Sequence, residues 1–123
     1  MPPVTAEIMS AIVAPLTDRA AETCAVLYLD RLNRFVGLRH MVGTGQHVDV
    51  PIRSIAIDAL GFDARAVLFA HNHPSGDARA SRDDLLFTRR LAEGLAAIDV
   101  ELLDHVIVAR GGASTSLRAS GHL

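Results

Sequence analysis

The sequence has 123 residues, of which half are hydrophobic and 21% are charged, and this composition fits one globular domain spanning residues 1–123 but not two. The formal net charge of −2 disfavours an extended phosphate-binding surface, so nucleic acid is not the expected partner. No apolar run approaches the roughly 18 to 20 residues that cross a bilayer, and the N-terminus does not have the pattern of an export signal. We therefore expect a cytoplasmic protein that does not contact a membrane.

Cysteine usage restricts the kind of metal site that the chain can build. Cys24 is the single cysteine, which excludes an internal disulfide, a thiolate zinc cluster and a Cys-x-x-Cys redox pair. Any metal must therefore be held by histidine and carboxylate. Because Cys24 stands in an apolar, strand-like run, we expect a buried and inert thiol.

The N-terminal part of the chain predicts a short helix followed by a β-hairpin. The helix is expected over Thr5 to Val13, with Pro15 helping to end it. The apolar run 24–29 predicts a strand, and residues 34–39 predict its antiparallel partner across the polar turn 30–33. About the first twenty residues are expected to be an extension before the main domain.

A second helix and a buried strand are predicted next. Pro51 suits a first helical turn, and Gly61 supplies a stop. Between them apolar residues recur at helical spacing, namely at Ile52, Ile55, Ala56, Ala59 and Leu60. The continuous apolar run 66–70 then predicts a central strand that is covered on both faces and ends at His71.

The C-terminal part predicts one more helix and two more strands. The helix is expected from about Ser81 to Ile98, followed by a strand over 102–109, a turn at Gly111 and Gly112, and a last strand over 114–117. Strands and helices thus alternate along the chain. The pattern predicts an α/β fold with a mixed β-sheet flanked by helices on both faces.

A pair of histidines follows the predicted central strand. Side chains alternate in extended backbone, so His71 and His73 project to the same side. Pro74 strengthens this expectation, because the residue before a proline is held toward extended conformations. The two imidazoles emerge at the end of a buried strand, where open α/β sheets commonly bind their ligands.

An acid on the next helix is a candidate third ligand. Phe87, Leu91 and Leu95 form an apolar stripe, and Asp84 lies on the same stripe three residues before Phe87. Its carboxylate should face inward, whereas Asp83 is rotated by about 100 degrees toward solvent. A buried acid is costly unless it contacts a cation or a metal. Two imidazoles and a carboxylate, with water in the open position, match a composition found in catalytic zinc sites.

Several of these residues also have ordinary structural interpretations. Ser81-x-x-Asp84 has the form of an N-terminal helix cap, and the cap and an inward-facing Asp84 are compatible. Gly76 most simply supplies a turn, and Asp77 is expected to be an exposed loop acid. The remaining histidines are expected at the surface or behind the site, namely His40, His47, His105 and His122. Asp104 next to His105 equally fits a structural pair.

The spacing of these residues resembles the JAB/MPN-plus metalloprotease family, also called JAMM. Its signature is His-x-His-Pro, six residues, then Ser-x-x-Asp, with a glutamate far upstream, and six residues separate Pro74 from Ser81 here. The run from Phe69 to Gly76, together with Ala21-Glu22 before the segment 26–30, resembles the RadC-like branch. The similarity extends from about Ala21 to the C-terminus.

The resemblance implies a JAB/MPN-like, cytidine deaminase-like three-layer architecture and a zinc metallopeptidase or isopeptidase acting on a peptide or protein substrate. It implies that His71, His73 and Asp84 bind Zn²⁺, that Ser81 assists at the oxyanion, and that Glu22 moves the proton of the attacking water. The other acids weighed for this last role, Glu7, Glu93 and Glu101, have weaker arguments from their positions.

Other functions remain open at this point. One is a binding module of the same fold that holds metal without turnover. Another is a role in DNA repair, although the helix-hairpin-helix segment of longer RadC-like proteins is not expected within the first twenty residues. DNA cleavage is a more distant alternative. A zinc deaminase is disfavoured because its His-x-Glu and Pro-Cys-x-x-Cys elements are missing from the sequence.

Overall fold

A computed structural model of the chain describes residues 15–16, 22–42 and 51–123. These residues form one mixed sheet in the order β2-β1-β3-β4-β5, in which β3 and β4 are parallel and the other neighbouring pairs are antiparallel. The α/β fold with a mixed sheet is therefore confirmed. The elements are β1 (Thr23–Leu29), β2 (Phe35–Val42), α1 (Ile52–Gly61), β3 (Ala66–His73), α2 (Arg82–Ala96), β4 (Glu101–Ala109) and β5 (Ser114–Ser116).

One face of the sheet packs against both α1 and α2. β1 and β3 are buried along almost their whole length, as expected of strands at the centre of a covered sheet. Alternate residues of these strands turn toward the helices and form the main core with the apolar stripes of α1 and α2. Its buried members include Cys24, Val26, Tyr28, Val67, Phe69, Ile55, Ala59, Leu91 and Leu95.

The opposite face of the sheet is also buried. Leu16 packs there against Ala25, Ala70 and Val108, and it is only 1% exposed. Pro15 and Leu16 are helical, so helical residues lie on both faces of the sheet. Pro15, which was expected to help end the first helix, is thus itself helical. The predicted helix over residues 5–13 lies outside the described residues.

The pairing of β4 with β3 contains an irregularity. Val67 is the partner of Leu102, but the next residue, Leu68, is the partner of Asp104. The extra residue changes the alternation of β4, so Leu102 and His105 face the same side although they are three positions apart. His105 is consequently directed to the side of the sheet that carries the helices.

Some element boundaries differ from those predicted. β3 does not end at His71 but continues through His73, since residues 71–73 go on pairing with β4. The sequence pattern missed this extension because it followed the apolar run alone. Pro51 is the residue before α1 and not part of its first turn, and α2 ends at Ala96. None of the helices in the described part of the chain is long and apolar enough to cross a membrane.

Candidate metal centre

The C-terminal end of β3 holds the two predicted histidines on one side of the sheet. His71 and His73 both turn toward α2, and their ring centroids are 4.9 Å apart. The backbone of His71 lies between Cys24 of β1 and Ile107 of β4 in the sheet. His71 is 7% exposed, so its imidazole has little freedom to turn away. The predicted common orientation of the two rings is confirmed.

The first turn of α2 brings a carboxylate to these rings. Oδ1 of Asp84 is 3.3 Å from Nε2 of His71, and Oδ2 is 3.1 Å from Nε2 of His73. Asp83, one residue earlier, is exposed, as the helical spacing predicted. The inward direction of Asp84 follows from its place on the same stripe as the buried Leu91 and Leu95.

Asp84 also closes the helix cap that the sequence indicated. The Ser81 hydroxyl oxygen accepts a hydrogen bond from the Asp84 amide at 3.0 Å, and Oδ2 of Asp84 accepts one from the Ser81 amide at 2.8 Å. The two interpretations of this motif are therefore both correct locally. Because the Ser81 oxygen acts as an acceptor in the cap, the cap does not use the proton of the Ser81 hydroxyl.

The electrostatic surroundings of Asp84 favour its ionised form. Burial by itself raises the pKa of the carboxyl group, but the contact with His71 when that ring carries a second proton, together with the hydrogen bond from the Ser81 amide, outweighs burial, and the net effect lowers the pKa. The site therefore presents a negative charge to the two imidazoles at neutral pH.

Glu22 approaches the histidines from β1. It immediately precedes Thr23, the first residue of β1, and the pairing of Cys24 with His71 places Glu22 beside the end of β3. A carboxylate oxygen of Glu22 and one ring nitrogen from each histidine lie within 4.8 Å of one another. The other two acids weighed in the described region, Glu93 and Glu101, are exposed. Glu7 lies outside that region.

Hydrogen bonding shows which nitrogen of His73 faces the centre of the site. Nδ1 of His73 is 2.9 Å from the backbone carbonyl oxygen of Asp77. A carbonyl oxygen only accepts, so Nδ1 carries the proton, and Nε2 of the neutral ring presents a lone pair to Asp84. Two acceptors facing each other at 3.1 Å need a cation between them or a second proton on the ring.

The donor set fits a zinc ion. In a tetrahedral site with bonds of roughly 2.0 to 2.1 Å, neighbouring ligand atoms lie about 3.3 to 3.4 Å apart. Oδ1 of Asp84 lies at such a distance from Nε2 of His71, 3.3 Å, and its other oxygen, Oδ2, lies 3.1 Å from Nε2 of His73. Cys24 does not add a thiolate, because burial raises the pKa of its thiol from 9.0 to about 12. This agrees with the buried, inert thiol expected from the sequence. The assignment of individual ligands remains a prediction.

Two further residues lie behind His71. Nδ1 of His71 is 2.7 Å from Nε2 of His105, and Nδ1 of His105 is 2.6 Å from the Thr88 hydroxyl oxygen. His105 is 1% exposed, and burial together with the neighbouring His71 lowers the pKa of its imidazole to about 3. The sequence predicts His105 either at the surface or behind the site, and the structure has it behind the site, in direct contact with His71.

The remaining predicted positions are structural or exposed. Asp104 accepts hydrogen bonds from the His105 amide, the Ser116 hydroxyl and the Arg118 amide, which makes it a structural anchor between β4 and the C-terminal turn. The exposed positions are Asp77, His40 and His122. His47 lies outside the described part of the chain. Gly76 has a φ of 87°, which a turn residue with a side chain rarely adopts.

Comparison with known proteins shows the family of this chain. A model of the RadC-like JAB domain matches residues 4–122. The chain belongs to the RadC-like JAB domain family. Among its relatives, a UPF0758 protein of Bordetella bronchiseptica is 45% identical over 111 residues, which cover 89% of this chain and 49% of the relative. A UPF0758 protein of Cellvibrio japonicus is 43% identical over 99 residues, which cover 80% of this chain and 44% of the relative.

The match covers only part of the length of each of these relatives. This RadC-like JAB domain spans about half the length of the curated relatives that it matches. Within the domain, the region from β1 to α2 brings together Glu22, His71, His73 and Asp84. This candidate metal group therefore lies within residues 4–122, which match the family model.

Proposed function

We propose that this RadC-like JAB domain is a zinc-dependent, cytoplasmic hydrolase that cleaves peptide or isopeptide bonds of a peptide or protein substrate. The observation that carries the proposal is the convergence of Asp84 on Nε2 of both His71 and His73 at 3.3 and 3.1 Å. The His73 tautomer described above supports it, because its lone pair faces a carboxylate that itself only accepts. A cation resolves that conflict.

The positions of four side chains support the proposed roles. His71, His73 and Asp84 would hold the metal, and Glu22 lies beside the two histidines. Zinc in such a site supplies water that is reactive at neutral pH and polarises a carbonyl oxygen. Glu22 then accepts the proton of the attacking water and returns it to the leaving amine as the carbon–nitrogen bond breaks.

Ser81 would stabilise the negative oxygen that forms when water adds to the carbonyl carbon. Its oxygen is fixed by the Asp84 amide, which orients the hydroxyl without using its proton. A donor held in place before the reaction stabilises such an oxyanion more than one that must reorient. The helix cap thus supports the proposed role of Ser81.

Metal analysis and one matched pair of variants test this proposal. The purified protein should contain about one zinc per chain, and it should hydrolyse at least some members of a peptide and lysine-isopeptide library. Glu22→Gln should keep its zinc while hydrolysis falls roughly 10²- to 10⁴-fold, the range associated with general acid–base catalysis. Glu93→Gln, which changes an exposed glutamate, should leave both quantities unchanged.

Each departure from these results identifies an alternative. A protein that binds no zinc would contradict the proposal. Zinc binding without hydrolysis of any library member would favour a binding module that holds metal without turnover. Loss of zinc from Glu22→Gln would make Glu22 a ligand, and full activity in that variant would assign the proton transfer to another residue.

A further inference from the structure

A buried chain of hydrogen bonds connects His71 to the interior of α2. It runs from Nδ1 of His71 to Nε2 of His105, at 2.7 Å, and from Nδ1 of His105 to the Thr88 hydroxyl, at 2.6 Å. The same hydroxyl is 2.7 Å from the backbone carbonyl oxygen of Asp84. His105 and Thr88 are each 1% exposed. These hydrogen bonds therefore begin at the proposed ligand His71 and end at the backbone of the proposed ligand Asp84.

The direction of each hydrogen bond can be worked out from its far end. The Asp84 carbonyl only accepts, so the Thr88 hydroxyl donates its single proton there, as threonine hydroxyls in helices commonly do toward the residue four positions earlier. The Thr88 oxygen must then accept from His105. Nδ1 of His105 consequently carries a proton.

The state of His71 follows from that of His105. The ring of His105 is buried, and its two hydrogen-bonding partners are a hydroxyl group and another imidazole, so no anion in contact with it favours a second proton. Nε2 of His105 is therefore an acceptor, and Nδ1 of His71 donates to it. This leaves the lone pair of His71 on Nε2, the nitrogen that lies 3.3 Å from Asp84.

We propose that His105 and Thr88 are positioning residues that hold His71 in the tautomer whose Nε2 lone pair faces the metal site. The inference rests on the proposed function in one respect, namely that the site binds zinc. Metal-binding histidines usually donate their second N–H to a carboxylate, a backbone carbonyl or water. Here a neutral histidine takes that place, and its own orientation is set by a threonine.

Variants of Thr88 separate hydrogen bonding from packing. Thr88→Val keeps the shape of the side chain but removes the hydroxyl, whereas Thr88→Ser keeps the hydroxyl. Ile107→Val is a matched packing control, because Ile107 is fully buried beside His71 in β4 and makes its contacts through apolar atoms. His105→Phe removes both hydrogen bonds of the His105 ring while retaining a buried aromatic ring.

Two measurements are needed for each variant. The first is the zinc dissociation constant from competition with a chelator. The second is the tautomer of His71 in the metal-free protein, from nitrogen-15 chemical shifts and long-range couplings of the ring. We expect His105→Phe to weaken zinc binding about 10- to 100-fold and Thr88→Val about 10-fold, in line with other partners of metal ligands. Thr88→Ser and Ile107→Val should bind zinc as the unaltered protein does.

The tautomer measurement distinguishes a positioning role from a merely structural one. The unaltered protein should show His71 protonated on Nδ1, Thr88→Val should show a mixture, and Thr88→Ser should restore a single form. Protonation of His71 on Nε2 in the unaltered protein, or a Thr88→Val protein with unchanged tautomer and zinc affinity, would overturn the inference. If the unaltered protein binds no zinc, the proposed function fails, but the tautomers of the metal-free protein still decide the role of His105 and Thr88.

Discussion

Replacing Asp84 by asparagine should have opposite consequences with and without metal. In the metal-free protein, the amide oxygen of the new side chain can accept from the Ser81 amide as Oδ2 does now, at 2.8 Å. The NH₂ group of the asparagine then takes the place of Oδ1, 3.3 Å from Nε2 of His71. It can donate a hydrogen bond to this nitrogen, which in the unaltered protein faces the carboxylate oxygen Oδ1, another acceptor. The substitution thus exchanges an unfavourable contact for a hydrogen bond.

The free energies involved are small without metal and larger with it. A net hydrogen bond contributes about 0.5 to 1.5 kcal/mol, and loss of a negative charge in the first turn of α2 costs about 0.3 to 1 kcal/mol. Metal-free Asp84→Asn should therefore match or slightly exceed the unaltered protein in its free energy of unfolding. Zinc at 100 times its dissociation constant adds about 2.7 kcal/mol to the unaltered protein. For a chain of this size, that raises Tm by roughly 8 to 16 °C.

Thermal unfolding with zinc and with a chelator measures both effects. We expect the zinc-dependent rise in Tm to be largely lost in Asp84→Asn, while Asp83→Asn, which removes the same charge from an exposed neighbour, keeps it. The reasoning is refuted if Asp84→Asn retains the full rise. It is also refuted if the metal-free variant is destabilised by about 3 to 5 kcal/mol, because that loss would indicate that Asp84 is paired with protonated histidines.

Five other expectations concern Cys24, the core, the helix cap and DNA binding. The Cys24 thiol should react with a disulfide reagent at pH 8 about 10- to 100-fold more slowly than an exposed thiol, because the rise of its pKa from 9.0 to about 12 lowers the thiolate fraction more than it raises the nucleophilicity of the thiolate. The same raised pKa makes the stability of the protein depend on pH, because the unfolded chain loses the thiol proton near pH 9 and the folded chain keeps it until about pH 12. The free energy of unfolding should therefore be highest below pH 9 and fall by at most about 1.4 kcal/mol per pH unit between pH 9 and 12. Denaturant titrations of Cys24→Ala should not show this fall. Leu91→Ala should lower the free energy of unfolding by about 2 to 5 kcal/mol in urea titrations, because Leu91 is fully buried in the main core. Ser81→Ala should cost about 0.5 to 2 kcal/mol and also reduce hydrolysis, whereas Ser81→Thr should preserve both; an unchanged rate in Ser81→Ala would remove Ser81 from the reaction. With a net charge of −2, the chain should bind duplex DNA weakly and in a salt-sensitive manner in titrations at physiological salt, and tight sequence-specific binding would revive a DNA-repair role.

The parts of the site that depend on local backbone rules could be predicted from the sequence. Alternation in extended backbone places His71 and His73 on one side, and helical spacing turns Asp84 inward and Asp83 outward. The same rules predicted the α/β fold. They were less accurate at the ends of elements, because polar residues such as Asn72 belong to β3 although the apolar run predicted that this strand ends at His71.

The parts that depend on contacts between distant segments could not be predicted in this way. The place of Glu22 requires the pairing of β1 with β3, which no short-range pattern encodes. The direction of His105 requires the irregularity between Leu102 and Asp104, because strict alternation from Leu102 would turn His105 to the other face. The position of Thr88 could have been predicted, because it follows Asp84 by four residues and therefore lies on the inner face of α2. It was missed because only the apolar residues of that face were considered.

The unequal spacing of the site residues along the chain has a consequence for folding. The three proposed ligands lie between residues 71 and 84, on a strand and a helix that are joined by one short loop. Closing a short loop costs less entropy than joining distant segments, so β3 and α2 can bring these groups together before β1 is in place. Glu22 arrives only when β1 pairs with β3. On the proposed roles, a chain at that earlier stage would bind its metal without the proposed general base, and its hydrolytic activity would begin only when the sheet was complete.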